Sequence, residues 1–273
     1  MIKLDPQSPI PAPPRDAEFW TLSHTTDELS LVCSTDSAPA TGILQRQDDW
    51  VAFRVAGTME FSLTGIVSRI SQPIAHAGLG IFVISTFDTD YILIALTQTE
   101  QAIQAWRAAG IHVIEPLHYS QRLILTNQNT ELASIADGVR EDALWVADYP
   151  TEGDVLISRL ARESGEPNHL FQIRLRSTGE AIGGIGFKGE QTTADFAAME
   201  IGYGLAPSMQ GHGYGSEALG ALIDIARQRG MNNLCADTLI SNVPSQRILI
   251  KNNFREVSRH EDSIWWLLQL GDA

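Results

Sequence analysis

At 273 residues and a formal net charge of −14, the chain has no basic face to offer a nucleic-acid backbone or an anionic membrane. Its 44% hydrophobic and 19% charged content excludes a disordered chain, and its length suits two modest domains. The acidic balance is compatible with a cationic small-molecule partner.

The opening "MIKLDPQSPIPAPPRD" has no apolar signal-peptide core, and its prolines predict an extended arm over residues 1–15. No run approaches the roughly 18 apolar residues of a membrane span, so a cytoplasmic protein is expected. Strands are predicted at 27–35 and 50–57, the latter alternating Val51, Phe53 and Val55. Ile66, Ile70, Ile74 and Gly78 recur every four residues, a helical stripe ending in glycine, with Pro73 expected to kink it. "IFVIST" and "YILIAL" read as a hairpin, "TEQAIQAWRAAG" (99–110) as a helix and "IHVIEP" (111–116) as a closing strand.

The order strand, helix, strand, strand, helix, strand is a ferredoxin-like βαββαβ unit. Residues 50–115, with "GLGIFVISTFDTDY" at their centre, also resemble the ACT-domain family. That resemblance implies an amino-acid-binding regulatory module. The amides of Leu63, Thr64 and Gly65 would receive an α-carboxylate, and Asp88 and Asp90 an α-amino group or a cationic side chain. A capped helix and a hairpin turn would explain the same residues. Residues 16–45 resemble the segment that precedes such units. ACT sheets often pair, so a homodimer is expected. The domains are then the arm (1–15), an ACT-type domain (16–117) and a second domain (118–273).

The second domain begins with a strand at 122–127 and a helical region. Strands at 168–176, 181–189 and 197–207 follow. Next comes "QGHGYGSEALGALIDIARQRG", where Leu219, Leu222, Ile223 and Ala226 form an apolar stripe and Gly230 a C-cap. A helix start carries unpaired amides and partial positive charge, and Gly211, Gly213 and Gly215 would let a phosphate group approach the backbone. A pyrophosphate is the expected occupant. The P-loop lysine is missing, because Ser216 and Glu217 follow Gly215, and "GHGYG" is one residue short of the dinucleotide fingerprint.

Gln210-x-x-Gly213-x-Gly215 resembles the loop of the GCN5-related N-acetyltransferases (GNAT). After the helix come strand 233–240 and "NVPSQRILIKNNF", similar to the branch that includes ribosomal-protein N-terminal acetyltransferases through Asn242, Ser245, Lys251 and Phe254. The resemblance covers about residues 120–270 and implies a mixed, mostly antiparallel sheet splayed between its fourth and fifth strands. It implies acetyl-CoA as cofactor, held by Tyr203, Gly204 and Leu205 along the fourth strand. Gln210, Gly211, His212, Gly213, Tyr214, Gly215, Ser216 and Asn242 would complete that binding site. Glu200 is the implied general base, acting through water, and Ser245 a proton donor or water-ordering group.

Each has a plainer reading: Glu200 as a surface carboxylate, Ser245 as a first-turn residue, His212 as a solvent-facing spacer. Many relatives carry a tyrosine at the position of Leu249, and glycine at that of Asn253, which asparagine can replace because it too reaches the left-handed region. Neighbouring Trp265 and Trp266 should give one core side chain and one half-exposed one. No metal site is expected. The acceptor would be a small-molecule or peptide amine, recognised by the segments 128–167 and 187–196. The competing function is an amino-acid sensor or interaction protein whose second half has lost catalysis. Plain nucleotide binding at the glycine loop is a third reading.

Overall fold

The computed structural model describes residues 1–15, 17, 19–56, 65–128, 131–139, 144–164, 169–192 and 197–271. They form two units: Met1–Val55 with the described residues up to Ile111, and the described residues from His112 onward with Ala56. The change of unit therefore precedes the expected boundary at residue 117.

The first unit contains two sheets. Strands β1 (Ile2–Leu4), β2 (Trp20–His24), β3 (Leu29–Cys33) and β4 (Ile43–Arg46) form an antiparallel sheet in the order β2-β3-β1-β4. Ile2 lies opposite Leu31 and Leu4 opposite Leu29, and all four are buried. Ile2–Leu4 thus form an inner strand instead of part of an arm. Three residues of alternation are too short a pattern to read beside the prolines that begin at Pro6.

Strands β5 (Trp50–Arg54), β6 (Phe82–Ser85) and β7 (Asp90–Ala95) form the second sheet, in the order β5-β7-β6. They alternate with helices α1 (Ile66–His76) and α2 (Thr99–Ala108), which gives five of the six expected ferredoxin-like elements. The indole of Trp106 on α2 donates to the Ile70 carbonyl on α1 at 2.8 Å and meets the Phe53 ring edge-on. Pro73 stays inside α1 close to its end, where its missing amide removes a single bond. The helix then closes on Gly78 at φ 72°, with Leu79 N–H returning to Ile74.

The sixth element is the exception. Residues 111–115 form no strand, and Pro116–Tyr119 (β8) pairs with β9 (Leu123–Asn127) at the edge of the other sheet. Pro116 lacks an N–H and suits an edge strand.

The second unit is built on eight strands: β8, β9, β10 (Leu170–Leu175), β11 (Ala181–Thr192), β12 (Ala197–Leu205), β13 (Asn233–Leu239), β14 (Arg255–Arg259) and β15 (Ser263–Gln269). Their order is β14-β15-β13-β12-β11-β10-β9-β8. Every neighbouring pair is antiparallel except β12 and β13, which pair in parallel at only two positions, Met199 with Leu234 and Glu200 with Cys235. Past Glu200 the two strands part, β12 continuing to Leu205 and β13 to Leu239. This is the expected splay.

Helices α3 (Leu132–Asp137), α4 (Glu152–Ser164), α5 (Tyr214–Gln228) and α6 (Val243–Lys251) accompany the sheet. The α5 stripe Leu219, Leu222, Ile223 and Ala226 is buried with Ile185, Phe187 and Ile201 in the main core. Trp266 is buried, its indole donating to Thr238 Oγ1 at 2.9 Å, while Trp265 is half-buried. Asn253 sits at φ 65°, and the next amide, Phe254 N–H, reaches back to Leu249 O at 3.0 Å. It closes α6 as a glycine would. Both cysteines are free thiols, Cys235 buried and Cys33 partly so.

Candidate functional site

The glycine loop follows β12 directly. Gly211 and Gly213 have φ of 80° and 81°, the left-handed region where a Cβ is strained, and Gly213 caps α5. Glu217 N–H is the first amide to bond back into the helix, to Gly213 O. The amides of Tyr214, Gly215 and Ser216 therefore lack acceptors inside α5.

Gly215 differs from the other two. It lies within the helix, and a Cβ there would stand 2.9 Å from Ile248 Cδ1, so its bareness serves the packing of α5 on α6. Gln210 folds back, its Nε2 donating to Leu205 O at 3.1 Å. Ser216 Oγ accepts from Asn252 Nδ2 at 3.1 Å.

An arginine that the sequence reading did not single out joins the loop. Arg122, in the turn between β8 and β9, pairs with Glu217 at 2.7 Å and donates from Nη1 to His212 O at 3.0 Å. Its guanidinium lies 4.6 Å from the centre of the Tyr214 ring, on which the His212 imidazole stacks. Glu217 also accepts from Ser120 Oγ and Arg122 N–H. Burial opposes the ionised carboxyl, but these bonds hold it below the usual carboxylate range. His212 is exposed, as a solvent-facing spacer would be, with its carbonyl held by Arg122 and its ring stacked on Tyr214. Arg122 Nη2 makes no hydrogen bond among the described residues.

The splay begins a few residues upstream. From Ile201 to Leu205 the edge of β12 towards β13 has no partner strand, and at its end the Leu205 carbonyl accepts from Gln210 instead. Tyr203 points towards α6. Its hydroxyl donates to Ser245 O at 3.1 Å and lies 3.2 Å from Ser245 Oγ. Burial pushes this phenol up to about 12 against the weaker effect of the Ser245 bond. Asn242 caps α6, its Oδ1 accepting from Ser245 N–H at 3.2 Å. Leu249, at the position of the missing tyrosine, is fully buried.

Glu200 stands where the splay opens and is 6% exposed. Its two oxygens are taken by Lys188 Nζ and by Gln191 Nε2, the latter at 2.8 Å. It is an internal ion-paired carboxylate and not a surface one. On its face of the sheet, Gly184 pairs with Gly204 and Gly186 with Gly202. These four glycines floor a cavity of about 80 Å³ walled by α4 and Lys188.

In the first unit, Gly65 caps α1 at φ 81°, Asp88 is exposed and Asp90 is buried at the start of β7. Leu63 and Thr64 lie outside the described residues. No helix among the described residues is long and apolar enough to cross a membrane.

Comparison with known families finds a match in each unit. The sequence profile of the ACT domain matches residues 45–107, that of the acetyltransferase (GNAT) domain residues 123–255, and a profile of an N-terminal domain residues 1–41. No curated protein matches. Solved structures that resemble the chain include a GNAT-family acetyltransferase from Bacillus anthracis. It is 18% identical over 57% of this chain and 98% of its own, with a TM-score of 0.42. A ribosomal-protein-S5-alanine acetyltransferase from Vibrio fischeri is 16% identical over 57% and 98%, with a TM-score of 0.43. A protein from Agrobacterium tumefaciens is 32% identical over 44% and 89%, with a TM-score of 0.39.

Proposed function

We propose that this chain, an ACT domain followed by a GNAT acetyltransferase domain, transfers the acetyl group of acetyl-CoA to a primary amine. The observation that carries the reading is the early end of the β12–β13 pairing, beside a helix start with bare amides. An unpaired strand edge suits the amide-rich pantetheine arm, and a helix N-terminus next to an arginine suits a pyrophosphate.

Acetyl-CoA supplies an activated thioester, and the chain's residues supply the rest. Backbone groups of Tyr203, Gly204 and Leu205 hold the arm. The loop from Gln210 to Ser216, with Arg122, holds the phosphates, and Asn242 keeps the start of α6 in place beside them. Tyr203 and Ser245 form the acid side. Burial pushes this phenol up to about 12 and so keeps it protonated, which lets it offer a hydrogen bond to negative charge developing on the leaving sulfur. Glu200 takes the amine's proton through water, with Lys188 and Gln191 fixing its orientation.

The ACT domain binds an amino acid near Gly65 and Asp90 and thereby regulates transfer. A sensor with an inactive second domain is the competing reading, favoured by the saturated Glu200 carboxylate and by Leu249.

Calorimetric titration of the full chain with acetyl-CoA, ATP and NADH tests the cofactor. Binding of acetyl-CoA alone is expected, and its failure to bind overturns the enzyme reading. Turnover that disappears in Glu200→Gln while acetyl-CoA binding persists separates the enzyme from the sensor.

A further inference from the structure

We propose that the glycine-floored cavity beneath α4 seats the primary ammonium group of the acceptor, with Asp154 Oδ1 as its charge partner. The inference rests on the acetyltransferase reading and adds to it a recognition residue and a chemical class of acceptor.

Asp154 lies in the first turn of α4 and is 8% exposed. Its Oδ2 is saturated, accepting from Thr151 N–H at 3.0 Å and Thr151 Oγ1 at 2.6 Å. Its Oδ1 makes no hydrogen bond among the described residues and faces Gly184. A Cβ built on Gly184 would overlap that oxygen. A carboxylate oxygen that has no protein donor and opens onto a cavity, on a side chain otherwise shielded from water, suits a cation. Burial does push this carboxyl up. The cation lining the same cavity, Lys188, is already paired with Glu200.

The walls suit an ammonium on a carbon arm. Gln128, Thr151 and Ser158 supply polar atoms, and Ile157 and Leu170 supply an apolar side. Gln128 Oε1 already accepts from Ser158 Oγ at 3.3 Å, whereas Asp154 Oδ1 accepts from none of the described residues and alone among these acceptors carries a charge. A single bare oxygen in a small cavity matches the point charge of an ammonium better than the planar fork of a guanidinium, which seeks two parallel acceptors.

The position also fits the chemistry. Gly202 and Gly204 belong to β12, whose unpaired edge starts at Ile201. The same two residues therefore belong both to the cavity floor and to that unpaired edge. The paired glycines remove the four side chains that would otherwise fill the approach.

The test uses the full chain saturated with acetyl-CoA, titrated calorimetrically with butylamine, 1,4-diaminobutane, a peptide with a free N-terminus and a lysine-containing N-acetylated peptide. The N-acetyl form of each serves as a neutral control. At least one amine should bind, its neutral form should not, and Asp154→Asn should weaken it by about tenfold or more. Asparagine can still accept from Thr151, so this variant keeps the cap of α4. Gly184→Ala, which fills the floor, should abolish amine binding and retain acetyl-CoA binding.

Equal affinity of the wild type and Asp154→Asn overturns the proposal. So does equal binding of amines and their amides, or binding of acetyl-CoA with no amine in the panel. Failure of acetyl-CoA itself to bind overturns instead the reading on which the inference rests.

Discussion

The Tyr203 hydroxyl donates to the Ser245 carbonyl at 3.1 Å and accepts from the Ser245 hydroxyl at 3.2 Å, joining the splayed edge of β12 to the first turn of α6. A tyrosine on the strand thus brings a phenol to the helix whose own tyrosine position holds Leu249. Tyr203→Phe should lower kcat by roughly 10²-fold, the ordinary scale of a lost general acid, and leave the Kd for acetyl-CoA unchanged. Stopped-flow turnover with parallel calorimetry would check this. An unchanged kcat would return Tyr203 to a packing role. Because the phenol is pushed up to about 12, its ionisation should not limit the rate at any pH below about 11.

Arg122 should matter to the cofactor more than to the fold. Its Nη2 is unpaired among the described residues, 3.5 Å from where a Cβ on Gly213 would sit. Arg122→Gln should weaken acetyl-CoA binding by about tenfold at low salt, and the difference should shrink as salt screens the exposed guanidinium. An affinity ratio independent of ionic strength would show that Arg122 acts only by holding Glu217 and His212.

Gly213 and Gly215 should fail in different ways. Gly213→Ala forces a Cβ into φ 81° and should cost about 1–2 kcal/mol of strain with loss of acetyl-CoA binding. Gly215→Ala presses on Ile248 and should lower stability by about 1–3 kcal/mol. Ile248→Val in the same chain should recover part of that loss, as read in urea denaturation. Recovery of Gly213→Ala by Ile248→Val would contradict the distinction.

Glu131 makes the second unit sensitive to acid. Burial disfavours its charge, but bonds from His112, Arg174, Gln172 and Trp145 prevail and hold it at about 2. A carboxyl lowered in the folded state contributes stability that is full above the unfolded value near 4.5 and lost as pH falls towards 2. Glu131→Gln should flatten the pH dependence of stability across that window. Glu131→Ala should destabilise by about 3–5 kcal/mol, because it strands the buried Arg174 guanidinium. A pH slope unchanged in Glu131→Gln would show that other carboxylates carry the acid response.

Short-range patterns in the sequence were sufficient where one element explains itself. The stripe of α5, the alternation of β5 and the hairpin of β6 and β7 depend on neighbours two to four residues apart. The left-handed positions of Gly211, Gly213 and Asn253 follow from which residues tolerate positive φ. Even so, a glycine has several uses, and sequence alone could not tell Gly213, which bends the chain, from Gly215, which admits Ile248.

What only the tertiary structure decided lies in contacts between residues far apart in the chain. Arg122 reaches a loop some 90 residues downstream, Tyr203 meets Ser245 across the splay, and Asp154 faces Gly184 on β11. The destinations of Ile2–Leu4 and Pro116–Tyr119 were equally hidden, since strand partners are chosen by buried surface elsewhere in the chain. Glu200 was legible as a candidate, but its pairing with Lys188 and Gln191 was not. The sequence determined which residues could carry the chemistry, and the packing of distant strands and helices determined which of them share a face, a cavity or a charge.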